Sequence, residues 1–428
     1  MEACCSSPKR TASRESGEQS SPRRSSPRRS GSESPGRGQS FSGLGRETSV
    51  APGRKQASRR RELDVQPEPA AEEGVAPPEA GGNQAWILVS RPGAQGMSQS
   101  NFELRGIPMP VPGEGQVLLR SIFISVDPYM RGRMDDLEAM GKRSYFASSF
   151  ALGEPPSGGV GSEVVESNHP DFSPGDVVTG SGPWQRFSVA DGKSVSKCTN
   201  LERVPLEKQM SSANYSGLSS YLPIVHIGEP KAGETAYVSG AAGAVGSMAC
   251  QILQKKFGCK VLGSVGSAEK VEYLRTLGIE AFNYNEKPVA EALPELCPDG
   301  VDIYFENVGG ETLEATLENM NNHGRVIACG MISQYDLQFD ERYGVKNLFY
   351  IVGKRLKMQG FIMSDWQGKE RADAKAAVLD MIEKGEVQTT ETIFEGFDKV
   401  PTAFCGLFTG ANLGKALIRC SSQPRLSV

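Results

Sequence analysis

The 428-residue chain has only three histidines, His169, His226 and His323, and they are scattered along it. That argues against a His-rich metal site and against a metalloprotease helix, which needs two histidines on one face. None of the nine cysteines forms a CxxC pair, and their spacing is irregular. A disulfide framework and a four-Cys structural zinc site are both disfavoured. No run approaches the roughly 18 apolar residues that a membrane-spanning helix needs. A formal net charge of −4 gives the whole chain no strong electrostatic character.

Charge is instead distributed in blocks. Residues 1–61 are strongly basic, residues 62–82 carry acids and no bases, and the remainder is mildly acidic. The first 82 residues hold 15 serines and few large aliphatic side chains. Such a stretch buries too little apolar surface to offset its ordering entropy, so 1–83 is read as a disordered basic tail. Its sharpest feature is the repeat SPRRSSPRRS, Ser21–Ser30. Three readings stay open. One is a solvated tail with phosphorylatable Ser-Pro sites, free to bind a partner. The second is an organelle transit peptide, against which Glu15, Glu18 and Glu33 count. The third is weak nucleic-acid binding or nuclear import. Cys4 and Cys5 offer acylation sites, without an apolar partner signal to support them. The expected location is cytoplasmic, with an organelle as the alternative.

From about Gln84 the pattern becomes that of a folded chain. Short strands separated by Gly and Pro (Gly115–Val126, Gly159–Glu166, Asp176–Gly180, Phe187–Ala190) predict a small barrel-like β domain. Near Leu206 strand and helix signals begin to alternate: strand Thr235–Ser239, helix Gly246–Phe257, strand Lys260–Ser264, helix Ala268–Leu277, strands Asp302–Phe305 and Arg325–Gly330. Alternation of this kind predicts a doubly wound parallel sheet. A helix over Glu370–Lys384 is followed by β-like runs at Ile393–Phe397 and Lys415–Arg419. The expected organisation is therefore a β domain over 84–205, completed by 393–428, with an α/β domain over 206–392.

The strand Thr235–Ser239 runs directly into Gly240-Ala-Ala-Gly-Ala-Val-Gly246 and then into a helix. Set on G-x-G-x-x-G, Ala241 takes the first glycine position, Gly243 the second and Gly246 the third. Gly243 admits a pyrophosphate to the backbone and Gly246 lets helix and strand pack closely. The amides of Ala244 and Val245 then open the helix, where an anion is favoured. A dinucleotide site selective for NAD places an acid about 20 residues on, near Gly266. This strand end is small and neutral. Gly266, Ser267 as N-cap and Lys270 in the first turn offer a helix N-terminus, a hydroxyl and an ammonium to a 2′-phosphate. The expected cofactor is NADPH; the competing reading makes Lys270 a solvated helix lysine and gives the 2′-OH to Glu269.

Six segments in order carry a resemblance: Asp127-Pro-Tyr-Met-Arg-Gly-Arg-Met134, the Ala-Ala-Gly-Ala-Val-Gly turn, Glu306-Asn-Val-Gly-Gly310, Ser333-Gln-Tyr335, Lys354-Arg-Leu-Lys-Met-Gln-Gly-Phe361 and Asn412-Leu-Gly-Lys415. Together they resemble the zinc-independent branch of the medium-chain dehydrogenase/reductase superfamily. The group it is most similar to is the prostaglandin reductase, leukotriene dehydrogenase and plant alkenal double-bond reductase family. The resemblance covers about Ala85 to Arg419. It implies a GroES-like β domain, a Rossmann domain, NADPH and reduction of the double bond of α,β-unsaturated aldehydes and ketones. It further implies that Lys270 and Tyr284 grip the 2′-phosphate, that Asn307 and Val308 border the nicotinamide, and that Asn412 contacts the cofactor. Tyr335 falls near the cofactor ribose and substrate carbonyl, and Tyr129 lines the same pocket. Two departures touch that pocket: Phe150 stands where plant members have a tyrosine, and the family's Met-Pro-Gly-hydroxyl segment reads Tyr215-Ser-Gly-Leu-Ser219. Family members are often dimers, so a homodimer or a monomer is expected.

The Gly-His-Glu segment of zinc alcohol dehydrogenases is replaced by Gly158-Gly-Val-Gly-Ser-Glu163. No metal is therefore expected. Conjugate reduction has no need of one: a hydride attacks the β carbon, and a hydrogen-bond donor stabilises the charge on the carbonyl oxygen. Tyr335 is the candidate donor; its competing role is packing beneath the cofactor. Tyr129 is equally open to a core role, and Arg131 and Arg133 read as ion-pair residues. Lys354 and Arg355 are placed at the start of a strand near the cleft. The three histidines read as structural, and Cys259 and Cys329 as small buried hydrophobes. An NADPH quinone oxidoreductase and a non-catalytic NADPH-binding regulatory protein are the alternatives to an alkenal/enone reductase.

Overall fold

The computed structural model describes residues 82–93, 96–136, 148–212 and 216–422. All but the last two residues of the basic tail, and also Tyr215, lie outside the described residues. Asn83, assigned to the tail from sequence, opens the first strand and is fully buried. Its carboxamide accepts from the Phe187 amide at 2.9 Å and donates to the Phe187 carbonyl at 2.7 Å.

Among the described residues, fifteen strands divide among three sheets. β1 (Asn83–Leu88) and β2 (Phe102–Ile107) form an antiparallel pair. A seven-stranded sheet takes β3 (Gln116–Ser125), β4 (Ser157–Ser167), β5 (Val177–Pro183), β6 (Phe187–Asp191) and β7 (Val195–Lys197). The six-stranded sheet takes β8 (Thr235–Ser239), β9 (Lys260–Val265), β10 (Glu280–Asn283), β11 (Val301–Glu306), β12 (Met320–Ala328) and β13 (Lys357–Gly360). Two late strands, β14 (Glu391–Glu395) and β15 (Lys415–Arg419), return to the seven-stranded sheet, with β15 antiparallel to β3.

The six-stranded sheet is parallel throughout, in the order β10-β9-β8-β11-β12-β13. This is the doubly wound Rossmann order, with its reversal between β8 and β11. Its strands feed cores on both faces, as buried parallel strands must. Ala236 and Val238 of β8 join Ile303 and Phe305 of β11 on one side, under the helix Ala244–Lys255. Tyr237, Leu262, Tyr304 and Val326 face the other side, against Leu293, Leu313 and Leu317. The expected class, a Rossmann sheet beside a separate β domain, is the one found. The helix Leu206–Ser212 sides with the β domain, because Leu206 and Met210 pack on Ile122, Phe123 and Leu417.

The returning segment is anchored by charge as well as by sheet pairing. Lys415 is 2% exposed, and its ammonium pairs with Asp127 and approaches the Val126 carbonyl at 3.4 Å. Asp127 also accepts from the Ser125 hydroxyl at 2.5 Å. A buried ion pair of this kind adds little net stability, but removing one partner strands the other charge at a cost of about 3–5 kcal/mol. Asp127→Asn is accordingly expected to lower the calorimetric unfolding temperature by several degrees and to loosen 411–416 in hydrogen exchange. An unchanged profile would show that the ammonium is compensated elsewhere.

Candidate active site

The turn after β8 is shaped by close approach. A Cβ on Gly246 would stand 2.3 Å from the Gly240 carbonyl and 2.8 Å from the Ala241 Cα, so only glycine lets the helix sit this close. The tight-turn conformation falls on Gly240, at φ 60°, one residue before the position aligned with the first fingerprint glycine. Ala241 itself is fully buried, donating its amide to the Ser264 carbonyl at 3.0 Å. Gly243 is the N-cap of the helix Ala244–Lys255, and no side chain caps it. The first intrahelical bond reaches Gly243 from Ser247 at 2.9 Å. The amides of Ala244, Val245 and Gly246 thus lack an intrahelical acceptor, at the positive end of the helix dipole.

The Asn412–Lys415 segment closes against this turn. Gly414 donates to the Ala242 carbonyl at 2.8 Å, making a parallel bridge between Gly243 and Gly414. The Asn412 carboxamide donates to the Gly414 carbonyl at 2.7 Å, which fixes the loop's own curvature. At the carboxyl end of β9, Ser267 caps the helix Ala268–Thr276 by accepting from the Lys270 amide at 3.3 Å. The Lys270 ammonium donates to the Gly410 carbonyl at 2.7 Å, and burial pulls it below the ordinary lysine range. The Tyr284 hydroxyl lies over Gly266, 2.7 Å from where a Cβ would stand. Tyr284, from the residue after β10, thus joins Gly266, Ser267 and Lys270 at one strand end.

Across the switch point, Asn307 straps β11 to β8. Its amide donates to Ser239 Oγ at 3.0 Å and its carboxamide to the Ser239 carbonyl at 2.8 Å. The Val308 carbonyl accepts from the Ser333 amide at 3.1 Å and the Ser333 hydroxyl at 2.6 Å. This holds the short helix Ile332–Tyr335 over the crevice. The Tyr335 hydroxyl accepts from the Met331 amide at 2.9 Å, leaving its own proton to donate. Burial pushes the phenol above the ordinary tyrosine range, so it stays protonated through neutral pH. Tyr129 packs against the β-domain core that contains Met130, Trp184 and Phe404. Its segment reaches Tyr335 through Arg131, whose guanidinium donates to Asp336 at 2.6 Å and Asp135 at 2.7 Å.

Sequence reasoning placed Arg131 among ion-pair residues without naming a partner, and it passed over Glu306. Arg131, 2% exposed, is an ion-pair residue joining the β domain to the residue after Tyr335. Glu306, fully buried at the end of β11, accepts from Ser239, Tyr304, Val308 and Gly309. Burial pushes its carboxyl above the ordinary range, against the pull of those donors. The available signal was an acid ending the apolar run Val301–Phe305. Lys354 and Arg355 lie in the turn entering β13, at the amino end of the strand and so opposite the crevice. His169 packs on Phe172, and His226 pairs with Glu370 at 3.0 Å and stacks on Trp366. Cys259 is buried; Cys329 is half-buried, and burial followed by Glu306 pushes its thiol up to about 12. Arg133 lies over the Phe150 ring, 4.1 Å from its centroid. Among the described residues no cluster of three or more His, Cys, Asp or Glu is arranged to hold a metal ion, and no helix is long and apolar enough to cross a membrane.

Residues 84–198 match a family model described as the N-terminal domain of oxidoreductase, and residues 244–384 one described as zinc-binding dehydrogenase. The chain is 39% identical over 331 residues to the NADP(+)-dependent 2-alkenal reductase of Nicotiana tabacum, covering 76% of this chain and 94% of that one. It is 38% identical over 326 residues to prostaglandin reductase 1 of Mus musculus, covering 75% and 94%. Among solved structures, CurA from Vibrio vulnificus in complex with NADPH matches with a TM-score of 0.74 and 34% identity, over 79% of this chain and 99% of that one. Two family models across the folded part and identity at this level over most of both chains have one explanation: the chain belongs to the zinc-independent branch of the medium-chain dehydrogenase/reductase superfamily, in the family of prostaglandin and alkenal double-bond reductases.

Proposed function

We propose that this oxidoreductase uses NADPH to reduce the carbon–carbon double bond of α,β-unsaturated aldehydes and ketones. The observation that carries the cofactor is the uncapped helix N-terminus at Gly243, with a half-buried ammonium, Lys270, at the next strand end. The names of the tobacco and mouse relatives support the substrate class. In this reading the amides of Ala244, Val245 and Gly246 take the pyrophosphate. Gly266, Ser267, Lys270 and Tyr284 take the 2′-phosphate. Asn307, Val308 and Asn412 border the rest of the coenzyme. The β domain, 84–205 with 393–428 and joined by the helix Leu206–Ser212, supplies the substrate wall, and the six-stranded part of 206–392 holds the coenzyme.

The bound cofactor supplies the hydride that the β carbon accepts. The chain's own contribution is orientation and electrostatics. Tyr335 donates a hydrogen bond to the carbonyl oxygen, where negative charge gathers as the double bond is attacked. Its elevated pKa keeps that proton in place at neutral pH. The Met331 amide, donating to the phenol oxygen, polarises the O–H and fixes the direction in which it points. The Arg131–Asp336 pair holds the segment carrying Tyr335 against the β domain, which keeps the crevice narrow.

Two substitutions test this assignment. Lys270→Ala removes one charge-assisted hydrogen bond, expected to weaken NADPH binding about 10–100-fold while leaving NADH nearly unaffected. Calorimetric titration with both coenzymes reads the difference, and equal losses would remove Lys270 from the 2′-phosphate site. Tyr335→Phe is expected to lower kcat on an enal panel by about 100-fold or more, the usual loss for one oxyanion donor. A kcat close to wild type would reduce Tyr335 to packing. Turnover on quinones in place of enals and enones would redirect the substrate assignment.

A further inference from the structure

A fully buried polar cluster lies at the switch point, where β8 and β11 end. Glu306 Oε1 accepts from the Ser239 hydroxyl at 3.2 Å, the Gly309 amide at 2.8 Å and the Val308 amide. Oε2 accepts from the Tyr304 hydroxyl at 2.5 Å. Tyr304 also reaches Ser239 Oγ at 3.1 Å and stacks on Tyr237 with ring centroids 5.1 Å apart. Tyr237 in turn shares a hydrogen bond with Ser264 at 2.7 Å. Side chains from β8 and β11 therefore converge on one carboxyl group, with no guanidinium or ammonium among the partners found for it.

A buried carboxyl without a cationic partner is costly, and burying charge needs compensation by hydrogen bonds. What these hydrogen bonds achieve is geometric. The Val308 and Gly309 amides face back into the protein, toward β11, because Oε1 accepts both. That turns the Val308 carbonyl outward to Ser333. The Asn307 carbonyl accepts from Ile332 at 3.0 Å, and the Glu306 carbonyl accepts from Cys329 and Gly330, each at 3.0 Å. Three consecutive residues, Glu306, Asn307 and Val308, thus fix the path of 329–333, from which Tyr335 hangs.

We propose that Glu306 is a positioning residue: its side-chain oxygen, by accepting the Val308 and Gly309 amides, sets the loop bordering the nicotinamide end of the crevice and aligns Tyr335. The proposal rests on the coenzyme reading above. The adenosine end, at Gly266, Lys270 and Tyr284, belongs to a different strand end and is independent of this loop.

The test compares Glu306→Ala, Glu306→Gln and Ser239→Ala by three readouts in the full chain: binding of 2′,5′-ADP, amide exchange over 307–333 without cofactor, and steady-state kinetics with NADPH and an enal. Glu306→Ala is expected to bind 2′,5′-ADP within about twofold of wild type, as distant sites do. Its amides at Val308 and Gly309 exchange faster, and kcat falls about 100-fold through misalignment. Glu306→Gln keeps an acceptor carbonyl and is expected to restore slow exchange and most of kcat. Ser239→Ala frees the Asn307 amide and removes one donor to Glu306, but leaves the Val308 and Gly309 amides their acceptor, and it gives a smaller loss in the same direction. Three outcomes would overturn the proposal: unchanged exchange and kcat in Glu306→Ala, damage in Glu306→Gln equal to that in Glu306→Ala, or parallel loss of 2′,5′-ADP binding. Failure of the wild-type chain to bind 2′,5′-ADP would instead remove the coenzyme reading, leaving the exchange result to judge the loop.

Discussion

The contact between the Gly246 Cα and the turn Gly240–Ala241 sets the geometry on which everything else depends. With no side chain at 246, the helix Ala244–Lys255 packs within touching distance of the strand that leads into it. Its uncapped N-terminus therefore opens at the point where the sheet order reverses, between β8 and β11. An open α/β sheet offers its crevice at that place for topological reasons, and the free amides give the crevice its preference for an anion. A side chain at 246 would force the helix outward and misdirect those amides.

The two lobes are then drawn to this crevice by contacts of different kinds. The backbone bridge from Gly414 to Ala242 lays the returning C-terminal segment across the turn. Lys415, one residue on, is held by Asp127, and four residues beyond Asp127 stands Arg131, which grips Asp336 next to Tyr335. The ring of contacts closes through Asn307 and Ser239 back to β8. Both ion pairs include a cation that is 2% exposed, so each specifies geometry more than it adds stability. Lys270, bonded only to a backbone carbonyl in the hydrogen bonds found here, keeps charge to offer.

Much of the fold was legible because its strands are apolar runs bounded by Gly and Pro. Thr235–Ser239 and Lys415–Arg419 were placed to the residue. The edge strand β13, Lys-Met-Gln-Gly, has no apolar pattern; a strand was expected to start at Lys354, three residues early, and β10 was not read at all. The phosphate turn was legible from glycine spacing, but the positive φ sits on Gly240, which a fingerprint aligned on three glycines does not reveal. Lys270 was read from its place in the first turn after Ser267 and Tyr284 through resemblance, and the position of Tyr284 over Gly266 is a product of the β9–β10 pairing. Arg131 and Asp336 lie 205 residues apart, so no local pattern announces the pair. Glu306 was quoted only within a segment of the resemblance, because its meaning depends on Ser239, supplied by another strand.

The most direct test of the central claim is a crystal structure of the chain grown with NADP+. The expected result has the pyrophosphate on the amides of Ala244, Val245 and Gly246, with the 2′-phosphate in hydrogen-bond reach of the Lys270 ammonium and the Tyr284 hydroxyl. A coenzyme bound elsewhere, or an adenosine end that leaves Lys270 on the Gly410 carbonyl, would contradict the account.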